Sequence, residues 1–204
     1  LHGTVRAAAA APHSSAAMNL ACEPLFEDYR GPAVVMVAWF IVYYALLTLQ
    51  LSTRTEAHRR CNDSGEVFDR FSMRDNGLVM GDRTFLNALE QSIPFLTGLW
   101  SCAVLVNGNL ATVLGSIAVF TRIWFPIFWS WGEEGKWNPM VELSTQPWYL
   151  MVFSMHGSVA LWALWGINVA ALHPLIIAFI CIGLYLVFFA GAAVLGMALH
   201  HATK

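Results

Sequence analysis

From residue 143 to residue 203 the chain carries no Asp, Glu, Lys or Arg. A run of that length without charge cannot form the surface of a water-soluble globule. It is long enough for two helices that each cross a bilayer core on about 20 apolar residues, with a break at His173-Pro174. Two further gaps lack charge: residues 31–53, and residues 91–121, the latter interrupted only by the turn-like Asn107-Gly108-Asn109. The residues are 57% hydrophobic and 12% charged, against about 45–50% and about 25% in soluble domains. A net charge of −2, with no basic block longer than a pair, excludes a nucleic-acid binder and a disordered charged tail.

Continuous hydrophobicity without period-2 alternation favours helices over a barrel. The expected fold is therefore all-α: an integral membrane helical bundle with spans at about residues 32–51, 82–106, 110–131, 147–170 and 174–199. Residues 1–30 read as a polar N-terminal segment, the front of a processed precursor, and residues 31–204 as the bundle domain. A long polar loop, 52–82, holds Arg54, Arg59, Arg60, Arg70 and Arg74 against six acids. With five spans this loop shares a side with Lys136 and Lys204, while only Arg6 and Arg30 lie opposite. Excess basic charge marks the untranslocated side, so the loop is expected to face the cytosol, stroma or matrix. The expected membrane is that of an organelle (plastid or mitochondrion) or of the endoplasmic reticulum. Trp39, Trp124, Trp129, Trp131, Trp137 and Trp148 are expected in aromatic belts at the interfaces. The four cysteines show no metal-like spacing and read as small hydrophobes.

Charges inside apolar helices cost about 2.5–3.5 kcal/mol each at the bilayer centre, so the few exceptions are the candidate site. Arg83, Asn87 and Glu90 stand at i, i+4 and i+7 on one face of the second helix, with Pro94 one turn deeper. The second helix starts on the basic side and the third ends there, which brings Arg122 to similar depth. A small polar pocket follows, in which Glu90 pairs with Arg122 or with an arginine of another subunit. The remaining guanidinium grips a carboxylate ligand in bidentate fashion; the bland reading is a buried ion pair that fixes register. His156, mid-span beside Gly157, could ligate a pigment metal or hydrogen-bond to Ser154 or Asn168.

The stretch Asp82-Arg83-Thr84-Phe85-Leu86-Asn87-Ala88-Leu89-Glu90-Gln91-Ser92-Ile93-Pro94-Phe95 resembles the second-helix signature of the membrane-associated proteins in eicosanoid and glutathione metabolism (MAPEG). Arg122, Phe125 and Trp129 resemble the spacing of the family's third helix, and the likeness covers about residues 32 to 131. It implies a four-helix protomer, here with a fifth helix, in a homotrimer with glutathione between neighbouring subunits. Arg83, Asn87 and Glu90 would hold the charged ends of the tripeptide, a further arginine its thiolate, and Arg54 would stand in for a basic residue near the first helix end. The implied chemistry is glutathione transfer to, or peroxide reduction of, a lipophilic electrophile from the membrane lipids. The chain departs from the pattern at Leu86, where a second Arg is common, at Trp129, where the family has Tyr, and at residues 133–138, which carry no Arg. The rival expectation is a non-catalytic accessory subunit of a photosynthetic or respiratory supercomplex, with chlorophyll or another pigment, or lipids, near His156.

Overall fold

The computed structural model describes residues 15–71, 75–132 and 138–202, with side chains from residue 28 onward. Among these residues every regular element is helical: α1 (Ser15–Ser64), α2 (Asn76–Leu105), α3 (Gly108–Ile123), α4 (Phe125–Ser130), α5 (Glu142–Trp165) and α6 (Pro174–Ala202). Three stretches, Asp28–Ser64, Gly108–Ser130 and Pro174–His201, are long and apolar enough to cross a membrane. The expected second and fourth spans exist as α2 and α5 but are not among these three. Both pack between other helices, where neighbours rather than lipid surround much of their surface, and such helices tolerate the Asp82, Arg83 and Glu90 that α2 carries.

The helix bounds correct the expected loop. Helix α1 has 50 residues, about 75 Å at about 1.5 Å per residue, so it begins inside the N-terminal segment and continues as a polar stem through residues 52–64. Nothing in that stem breaks a helix: Glu56 pairs with Arg59 and Arg60 at i+3 and i+4, and Thr55 bonds back to the carbonyl of Leu51. Gly65 stops it, with the positive φ of 72° that ends helices without a Cβ penalty. Helix α2 starts six residues earlier than expected because the Asp75 side chain accepts the Leu78 N–H and caps it. The expected third helix divides at Trp124, since Pro126 has no N–H to continue the ladder.

The core is an aromatic triangle. Trp39 of α1, Phe95 of α2 and Trp148 of α5 are fully buried, with ring centroids 5.0–5.2 Å apart. Trp39 and Trp148 therefore are not interface anchors; indole area is worth more where three helices meet. Trp124 and Trp131 do remain exposed, and Trp137 lies outside the described residues. Helix α6 rests chiefly on α5, through Phe153 stacked between Tyr185 and Phe188 and Tyr185 donating to Gln146 Oε1, and its Cys181 is buried in the core. Beyond residue 185 its side chains are exposed.

Because the triangle joins three helices, Trp148→Ala is expected to destabilise the fold by about 3–5 kcal/mol. Thermal melts in detergent should show this loss, whereas Trp131→Ala, at the surface, should melt within a degree or two of the parent.

Candidate functional site

The site is built on the first turns of α2, which α1 holds from one side. At Gly81 the two helices approach so closely that an added Cβ would overlap Thr53 Oγ1 and lie 3.3 Å from the Gln50 Cα. One residue on, the Asp82 Oδ1 accepts three bonds: from Gln50 Nε2 at 2.7 Å, Arg54 Nε at 3.0 Å and Arg54 Nη2 at 2.7 Å. Arg54 and Asp82 keep only 25% of their side-chain surface. The cation expected to assist a ligand is thus engaged in a helix clamp. A second tie lies at the helix start, where Arg60 Nη2 sits 2.6 Å from Asp75 Oδ2. Partial burial alone would push the Asp75 carboxyl up, but the Leu78 N–H and the Arg60 guanidinium outweigh it and hold the group below the usual carboxylate range.

Next to this saturated clamp, the predicted face is left open. Arg83 and Glu90 are exposed and Asn87 is half-buried. Among the described residues neither Arg83 nor Glu90 has an ion-pair partner, and the Asn87 Oδ1, though buried, has no hydrogen-bond donor. Arg83 borders a cleft of about 290 Å³ shared with Asp82, Leu86 and loop residues. Glu90 stands in an outward stripe with Leu86, Leu89 and Ile93, the last 73% exposed. On the inner face, Gln91 Nε2 donates to Tyr149 Oη and Gln91 Oε1 accepts from Trp148 Nε1, both at 3.4 Å. Sequence reasoning missed Gln91; its place at i+4 from Asn87 was the available signal.

Arg122 is not part of that face. It is 1% exposed, with its guanidinium carbon 4.3 Å from the Phe125 ring centroid and 5.3 Å from that of Trp148. Its Nε and Nη2 have no acceptor among the described residues. The expected Glu90–Arg122 pair does not form, because α2 turns Glu90 outward while α3 and α5 enclose Arg122. Aromatic faces take the place of a carboxylate. Ser144 donating to the Thr121 carbonyl at 2.7 Å ties the start of α5 to this corner.

His156 bonds to neither expected partner. Its Nε2 lies 2.9 Å from the Pro94 carbonyl, so Nε2 carries the donated proton and is occupied. Gly98 makes room for the ring, which an added Cβ would meet at 3.0 Å. Ser154 instead donates to the Leu150 carbonyl, and Asn168 caps the short turn that precedes α6.

No family model, no curated protein and no solved structure matches this chain.

Two outcomes follow from these contacts. An unsatisfied buried polar group costs about 1–3 kcal/mol, so Arg122→Met should leave the melting temperature unchanged or raised, and Arg122→Glu should collapse it. The stabilisation from Asp75 is present above about pH 4, where an unfolded carboxylate is ionised, and is lost as pH falls through its lower folded value. Melts at pH 7 and pH 3 should therefore differ more for the parent than for Asp75→Asn, which keeps a capping oxygen that does not titrate.

Proposed function

We propose that the chain is a MAPEG-like integral membrane protein that binds glutathione along the Arg83–Asn87–Glu90 face of α2, where a second copy of the chain closes the site. One observation carries this reading: Asp82 is saturated by three donors, while Arg83 and Glu90, on the same helix, are left without a partner among the described residues. Glutathione complements that set. It offers carboxylates to Arg83, an ammonium to Glu90 and peptide groups to the Asn87 amide. Glu90 among Leu86, Leu89 and Ile93 also asks for cover, since a carboxylate facing hydrocarbon is costly. Conjugation of the thiol to a lipophilic electrophile from the bilayer, or peroxide reduction, is the chemical extension of this binding and needs a guanidinium at the sulfur. The basic stem of α1 and the following loop then face the cytosol, stroma or matrix of an organelle or endoplasmic reticulum membrane.

A second reading, a non-catalytic subunit of a larger organelle membrane assembly with pigment or lipid contacts, is favoured by α6. Its Gly183, Gly191 and Gly196 have open space around them, and its side chains beyond residue 185 are exposed.

Calorimetry on the full chain in mild detergent tests the first reading. Saturable glutathione binding should weaken at least tenfold in Arg83→Ala and in Glu90→Ala, with unchanged melting temperatures, because both side chains are exposed. A parent that takes up no glutathione and co-purifies at fixed ratio with other subunits would overturn it in favour of the second.

A further inference from the structure

Residues 66–71, which follow the α1 stem, fold back against it. Phe68 packs against His58 of the α1 stem with ring centroids 5.2 Å apart, and the Phe71 N–H donates to Asp69 Oδ1 at 2.9 Å, closing an Asx turn over Arg70. These contacts bring Arg70 to the wall of the cleft that Arg83 borders. The Arg70 guanidinium lies 5.8 Å from the Phe71 ring centroid, and Phe71 is 81% exposed.

Charge in this cleft does not cancel. Among the described residues Asp82 is its only carboxylate, and that group is neutralised by Arg54. Asp69, beside Arg70 in sequence, accepts the Phe71 N–H and makes no ion pair with Arg70. Arg70 and Arg83 therefore present two guanidinium groups without counter-charge among the described residues, flanked by the apolar Phe71 and Leu86. At about 290 Å³ the space is at the lower end of ligand pockets, which run about 300–1,000 Å³. It suits a headgroup or one end of a peptide and is too small for a whole lipid.

We infer that Arg70 and Arg83 form a two-arginine clamp for an anionic group, a carboxylate or phosphate, whose apolar continuation lies against Phe71 and Leu86. In the glutathione reading, on which this version rests, the clamp takes a carboxylate of the tripeptide and Arg70 is a further binding residue. The same chemistry is offered by the phosphate of a lipid headgroup, since the cleft lies where the apolar part of α2 begins.

The test uses the full chain in nanodiscs of zwitterionic lipid, titrated separately with glutathione and with the soluble dihexanoyl phosphatidic acid. If glutathione binds, Arg70→Ala should weaken it at least fivefold and Arg70→Lys should restore most of the loss, with melting temperatures unchanged because Arg70 is exposed. If glutathione does not bind but the phosphatidic acid does, and both Arg70→Ala and Arg83→Ala weaken it at least fivefold, the clamp stands and the glutathione reading falls. If Arg70→Ala binds the parent's ligand within twofold, the clamp is overturned, whatever Arg83→Ala does. A parent that binds neither probe overturns it as well.

Discussion

A charged side chain carried on an apolar helix must find compensation within reach, and most of what is distinctive in this protein follows from how each charge finds it. Asp82 takes three donors from α1, so the pair of helices is held in one register at the level where α2 turns apolar. Arg122 finds two aromatic faces instead of an acid. Arg83 and Glu90 find no ion-pair partner among the described residues. The first arrangement is saturated, and the second is enclosed by rings but leaves the Arg122 Nε and Nη2 without an acceptor among the described residues. The third is open on an exposed helix face, which is the basis for proposing a ligand and a neighbour there.

Packing decides which groups fall into which class. The Trp39–Phe95–Trp148 triangle fixes the rotation of α2 about its axis, so Phe95, Ala88 and Thr84 look inward while Glu90 and Ile93 look outward. Gly81 and Gly98 sharpen this placement, one by admitting Thr53 and the other by admitting His156. The bond from His156 to the Pro94 carbonyl joins α5 to α2 where the proline has already removed one ladder donor. Helix α6 enters this core only through its first half, where Cys181 is buried, and beyond residue 185 it presents an exposed apolar surface.

Much of the architecture was legible because charge-free length and helical spacing are strong signals. The gaps placed the helical regions, and i, i+4, i+7 spacing put Arg83, Asn87 and Glu90 on one face. Spacing names a face but not what the face meets, so it suggested a Glu90–Arg122 pair that does not form. Trp39 and Trp148 look like belt residues in a sequence because the indole suits both an interface and a core; only the meeting of three helices decides. The stem at residues 52–64 was hidden by its polarity, although Glu56 with Arg59 and Arg60 and the cap at Asp75 were readable signs of helix. The role of Gln91 and the delivery of Arg70 to the α2 cleft depend on tertiary contacts, His58 with Phe68 among them, that leave no periodic trace.

The most direct check on the central claim, that the open face of α2 is completed by a ligand and another copy of the chain, is native mass spectrometry of the full chain released from membranes in the presence of glutathione. An oligomer of identical chains carrying about one glutathione per chain is expected, with both the ligand and the assembly weakened when Arg83 and Glu90 are replaced together. A monomer, or an oligomer that retains no glutathione at saturating concentration, would contradict it.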